Sequence, residues 1–164
     1  SKSVALLYLA GSGGRHGLAC LTVHLVSHQA IPPSQWVPIA WGSALLTEAG
    51  VWSAGRPADL LVAPGTTLVQ LRFSVQFASS LVGIRRAGVC INGAARPGGG
   101  QMTMAAQLGG TPTAPTTPTE VVGATAVMPV SVGDVLTVWA QHTAPATILI
   151  VNSAVTWACF DKIG

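Results

Sequence analysis

Between Leu68 and Ala78, apolar and polar side chains alternate one for one. Leu71, Phe73, Val75 and Phe77 interleave with Gln70, Arg72, Ser74 and Gln76. A period of two puts the apolar set on one face of a sheet and the polar set on the other, so a strand is predicted over 68–78. The run Ala63-Pro-Gly65 turns the chain into it and Ser79-Ser80 begins the way out. Similar runs rich in Val, Ile, Thr, Leu and Trp predict strands over 21–28, 36–41, 84–91, 101–108, 120–130, 135–142 and 147–160. Asn92-Gly93 is a hairpin signal, because both residues tolerate positive φ, and Val132-Gly-Asp134 marks a second turn into a strand. The segments 96–100 and 109–119 read as loops, the second Thr/Pro-rich and extended. Eight or so strands with no helix to cover a sheet require two sheets to cover each other. The fold class expected is therefore an all-β, two-sheet antiparallel sandwich of jelly-roll type.

Composition changes the picture at the surface. Of 164 residues, 8% are charged and 49% hydrophobic, with a mean hydropathy of +0.54. Soluble domains commonly have about a quarter of their residues charged, so some apolar surface here is expected to meet other chains. No apolar run approaches the ~18–20 residues of a membrane-spanning helix, and no membrane partner is expected. The net charge of +3 reflects scarce acids, and Arg85-Arg86 is the one adjacent basic pair, which gives no footprint for nucleic acid.

The chain divides into an N-terminal arm, 1–20, and a sandwich domain, 21–164. The arm mixes the apolar stretch Val4, Leu6, Leu7, Tyr8 and Leu9 with a flexible Gly11-Ser-Gly-Gly14 joint. Lys2 and the apolar stretch resemble a very short signal sequence, but Gly17-Leu-Ala19 before Cys20 puts Leu one place away from where a lipoprotein signal would want it, and no secretion signal is read. The arm either adds a strand to a neighbour or forms an extra edge strand of its own sheet.

Residues that could carry chemistry are scattered. His24 and His28 would share a strand face about 13 Å apart, too far to hold one metal ion. His16 and His142 have no partner visible in the sequence. Glu48, Asp59, Glu120, Asp134 and Asp161 are dispersed, with no sign of a calcium site or a glycosidase pair. The run Gly11-Ser-Gly-Gly-Arg-His-Gly17 lacks the Gly-Lys-Ser/Thr ending of a phosphate loop, and no Gly-x-Ser-x-Gly elbow occurs. Cys20, Cys90 and Cys159 have neither metal nor redox spacing and read as buried free thiols. No catalytic residue and no cofactor is expected. The five Trp residues against a single Tyr point to interfaces or sugar-binding faces. If Leu136, Val138 and Ala140 face the core, Val135, Thr137 and Trp139 face the other way. In the inverted register Trp139 is core filler.

From residue 31 the order of features resembles the C1q/TNF-like jelly-roll domains of bacterial and phage proteins. Trp36-Val-Pro-Ile-Ala-Trp41 is followed by Leu45-Leu-Thr-Glu-Ala-Gly50-Val-Trp52, then Leu61-Val-Ala-Pro-Gly65 and the alternating strand. Gly83-Ile-Arg-Arg86 leads to Ile91-Asn-Gly93, Val132-Gly-Asp-Val-Leu-Thr-Val138 introduces the penultimate strand, and the last strand closes with Phe160-Asp-Lys-Ile163. The turn Gly65-Thr-Thr-Leu68 departs by lacking an aromatic pair. The resemblance implies a homotrimer, with Val135, Thr137 and Trp139 as a candidate trimer interface or ligand face. It implies a non-enzymatic virion structural protein at the capsid surface, a decoration protein whose arm residues Val4, Leu6, Leu7, Tyr8 and Leu9 bind the major capsid protein. Two alternatives stand beside it: the glycan- or host-receptor-binding head of a phage fibre, and a bacterial surface C1q-like binding module.

Overall fold

The computed structural model describes residues 20–45, 50–92, 102–104 and 117–164. Among them are thirteen strands and no helix, and two antiparallel sheets face each other, as the alternation requires. The predicted strand over 68–78 is β6 (Leu68–Phe77), the organising element. Its inner set, Val69, Leu71, Phe73, Val75 and Phe77, is almost wholly removed from water. Each such side chain contributes about 1.5–3 kcal/mol of burial, offset by the ordering of the chain.

The larger, eight-stranded sheet is assembled on both edges of β6. Along one edge run β13 (Trp157–Lys162) and, at Phe77, β12 (Ile148–Ile150). Along the other run β9 (Thr119–Ala124) and β10 (Met128–Pro129). Beyond β13 lie β1 (Cys20–His24) and β4 (Ser43–Leu45), while β2 (Gln29–Ile31) pairs with β12. The smaller sheet is built on β11 (Val135–His142). It pairs with β7 (Arg85–Ile91) on one edge and with β3 (Val37–Pro38) and β5 (Leu60–Leu61) on the other. β8 (Met102–Met104) adds to β7.

Two predicted strands break in the middle for local reasons. The run predicted over 147–160 is β12 and β13, separated by the uncharged turn 151–156, in which Thr156 N–H bonds Ser153 O at 3.1 Å. That over 120–130 is β9 and β10, because Thr125 leaves the ladder and its hydroxyl accepts from Leu71 N–H at 3.0 Å. The run predicted over 21–28 ends at His24, and the next strand begins only at Gln29. Asn92 has φ +57° and Gly133 φ +90°, both in the left-handed region, as their turn signals require, while Gly93 of the hairpin signal lies outside the described residues. Asn92 and Asp134 then tie the two turns together. The Asn92 amide donates to Asp134 Oδ1 at 2.9 Å, and Ser131 N–H donates to Oδ2 at 2.8 Å.

Candidate interaction faces

Strand register fixes what each sheet shows to the outside. On the larger sheet, Val122, Ser74, Trp157, His24 and Ser43 stand side by side across five strands. The next row is Ala124, Arg72, Cys159, Thr22 and Leu45. Polar cross-strand pairs fill the centre. Arg72 Nε donates to Asp161 Oδ2 at 2.7 Å, Ser74 Oγ donates to Glu120 Oε1 at 2.7 Å, and Ser43 Oγ lies 2.8 Å from His24 Nε2. Around them Leu45, Leu68, Val122 and Leu149 are exposed. The face therefore joins apolar side chains to a pre-arranged polar lattice.

The smaller sheet shows Val135, Thr137, Trp139 and Gln141. Leu136, Val138 and Ala140 are fully buried, so the register that turns Trp139 away from the core is the one adopted, and the inverted register is excluded. Trp139 is half-buried, with Pro38 opposite on β3 and Gly88 on β7. Its Nε1 is enclosed without a partner. Thr137 is only 4% exposed, so of the three residues singled out in the sequence Val135 and Trp139 are the ones presented. The arm residues Val4, Leu6, Leu7, Tyr8 and Leu9 lie outside the described residues.

Several sequence expectations are corrected. His142, without a visible partner in the sequence, is fully buried on the inner face, with Nε2 2.7 Å from Ile31 O. A carbonyl can only accept, so Nε2 carries its hydrogen, while Nδ1 meets no partner. His24 and His28 do not share a strand face: His28 follows the end of β1, and its Nδ1 accepts from Asn152 N–H at 2.9 Å. Cys159 is disulfide-bonded, not a free thiol. Cys90 is free and buried, and burial pushes its thiol up from the ordinary value.

Arg85-Arg86 is split by the pleat. Arg86 lies on the outer face, its Nη1 donating to Gln141 at 3.4 Å. Arg85 lies wholly inside, opposite His142. Its Nη1 and Nη2 donate to Val82 O at 3.0 Å and Ser80 O at 3.1 Å, and its Nε has no partner. Burial lowers its pKa, since desolvation disfavours the cation. The sequence carried a signal for this. A strand with Ala87, Val89 and Ile91 on one face must place Arg85 there too. Asp134 is held below the usual carboxylate range, chiefly by the Ser131 N–H, then by the Asn92 amide, with desolvation opposing.

Among the described residues no three His, Cys, Asp or Glu side chains gather to hold a metal ion. No described helix is long and apolar enough to cross a membrane.

No family model and no curated protein matches the chain. Solved structures do. Eiger TNF from S. frugiperda superposes with a TM-score of 0.62 at 15% identity, covering 90% of this chain and 93% of that one. Murine APRIL, in its pH 8.0 crystal structure, superposes equally well, with a TM-score of 0.62 at 17% identity and 88% and 98% coverage. The fold is a TNF-like jelly roll. At such identities the likeness concerns the fold, and it extends over nearly the whole of each chain.

Proposed function

We propose that this chain is a non-enzymatic structural and binding module that works as a homotrimer, and specifically that it decorates a phage capsid. The observation that carries the reading is the outer face of the larger sheet. There Leu45, Leu68, Val122 and Leu149 are exposed around the half-buried Trp157, in a chain with 8% charged residues. Apolar side chains around an ordered polar centre suit a permanent contact between like subunits. The acids described are engaged in cross-strand and turn contacts: Asp59 with Arg56, Asp161 with Arg72, Glu120 with Ser74 and Asp134 with Ser131. They are spread over the molecule and do not converge on a reaction centre. The TNF-like fold supports a binding role in the same direction.

In this reading the larger sheet's face closes the trimer, and Val135 and Trp139 on the smaller sheet stay available to a capsid or ligand. The arm 1–20, through Val4, Leu6, Leu7, Tyr8 and Leu9, grips the major capsid protein at the virion surface, and three copies bind with avidity. A mass near three chains by light scattering, with attachment to capsids that lack the protein, is the expected result. Loss of attachment on deletion of 1–14 identifies the arm as the grip. A monomeric mass sinks the reading.

Trp157 beside the His24–Ser43 pair favours one alternative, a glycan-binding fibre head. Glycan binding that is lost in Trp157→Ala, without capsid attachment, would select it.

A further inference from the structure

The chain contains two asparagines in different chemical settings. Asn92 is followed by Gly93, and Asn152 by Ser153. The side-chain carboxamide carbon of an asparagine is open to attack by the backbone nitrogen of the next residue. A following glycine, with no Cβ and a freer backbone, hinders that approach least. Asn92 is also exposed to water, the one co-reactant such chemistry needs.

The structure holds this carboxamide by both of its polar atoms. Val135 N–H donates to Asn92 Oδ1 at 2.9 Å, while Asn92 N–H donates to Val135 O at 2.7 Å. The side chain thus supplies the acceptor for a rung at the end of the β7–β11 ladder. Its Nδ2 donates to Asp134 Oδ1 at 2.9 Å. Asp134 is kept ionised by the Ser131 N–H as well, so this bond is charge-assisted. Both partners belong to the chain opposite, and they draw the carboxamide across the ladder.

We propose that Asn92 is a modification site, at which the side-chain amide is slowly hydrolysed, and that Asp134 governs the rate by holding that amide across the ladder. The Gly93 nitrogen loses its proton to solvent and attacks Cγ of Asn92. The Cγ–Nδ2 bond breaks and Nδ2 leaves as ammonia, taking up a proton, so that a cyclic imide remains. Water then opens the imide at either carbonyl. Cleavage between Cγ and the nitrogen leaves aspartate; cleavage at the main-chain carbonyl leaves isoaspartate, whose main chain runs through Cγ. Water is consumed, ammonia is released, and nothing is oxidised or reduced. Either product changes the turn. Aspartate keeps an oxygen for the Val135 N–H but sets a second carboxylate against Asp134, and like charges disfavour each other. Isoaspartate lengthens the main chain and loses the rung. Modification therefore unties Asn92 from Asp134 and loosens this end of the smaller sheet. None of this rests on the trimer proposed above.

Peptide mapping by mass spectrometry, on the full chain aged in mildly alkaline buffer, reads conversion at Asn92 with Asn152 as the internal control. In denaturant Asn92 is expected to convert ahead of Asn152, and faster than it does in the native protein. Native Asp134→Ala should convert about tenfold faster than native wild type, the factor to which loss of a charge-assisted hydrogen bond corresponds. Ile150→Val, fully buried in the larger sheet and of comparable cost to the fold, should keep the wild-type rate, which separates release of the amide from general unfolding. Asn92→Asp, a stand-in for one product, should exchange its Val135 amide hydrogen faster than wild type. Asp134→Ala at the wild-type rate overturns the inference, and so does an acceleration shared equally by Ile150→Val. An unfolded chain in which Asn92 converts no faster than Asn152 removes the site itself, and unchanged exchange in Asn92→Asp removes its effect on the turn.

Discussion

Arg85 and His142 face each other across the β7–β11 ladder, both fully buried on the inner face, and each keeps one ring or guanidinium nitrogen without a partner. Buried arginine is tolerated where its hydrogen bonds are worth more than its hydration. Here the two backbone carbonyls it binds belong to the 78–84 loop, so the cation serves to shape a connection between the sheets. Arg85→Ala removes both bonds and leaves a void, and is expected to cost about 3 kcal/mol in denaturant unfolding. Arg85→Met fills the space without the buried charge and should cost less than half as much, while amide exchange in the loop still accelerates. Equal losses for the two variants would contradict this division.

The core argument makes a simpler demand. Phe73→Ala, at the centre of β6, is expected to lower stability by about 3–5 kcal/mol. Val122→Ala, on the exposed outer face of β9, should change it by less than about 0.5 kcal/mol in the unassociated chain. Chemical denaturation of both variants at low protein concentration separates the two positions.

Asp134 gives a pH dependence whose sign can be worked out. Its folded-state pKa lies below the unfolded value, so its contribution is present above the unfolded carboxylate range, about 3.9, and is lost as pH falls through the folded value. The stability gap between wild type and Asp134→Ala should therefore be full at pH 7 and close below about pH 4. A gap that stays constant down to pH 2 would show that the Ser131 and Asn92 bonds do not discriminate between the protonation states.

Cys159 and Cys90 should behave oppositely. Reduction of the Cys159 disulfide is expected to cost roughly 2–4 kcal/mol, read as a lower Tm in reductant. Cys90, buried and with its thiol pushed up, should resist a thiol reagent in the native protein and react on unfolding. Rapid native-state labelling of Cys90 would show that this part of the smaller sheet opens.

What can be read from the residues follows their periodicity. β6 and β11 are plain because their neighbours in sequence alternate strictly, and the same alternation is what turns Trp139 outward. β3 and β5 are only two residues long, and 36–41 carries no such alternation, so strand length there follows from pairing with β11. His142 and Cys159 differ from expectation for a shared reason. Their state depends on partners far along the chain: the Ile31 carbonyl for His142, and a second sulfur for Cys159. The candidate faces are legible in the sequence only as alternations. Which apolar residues line up beside which polar pairs depends on the register of five strands.

That register also governs how the protein is made. Phe160 lies against Leu21 on one side and Leu71 on the other, so β13 is the seam joining β1 to β6. Neither strand can complete its ladder before β13 has been synthesised. Such non-local pairing folds on the slow side, about milliseconds to seconds, and leaves strand edges open in the meantime. On the ribosome the larger sheet must wait, and its exposed edges are then a hazard that chaperones or prompt assembly would have to cover.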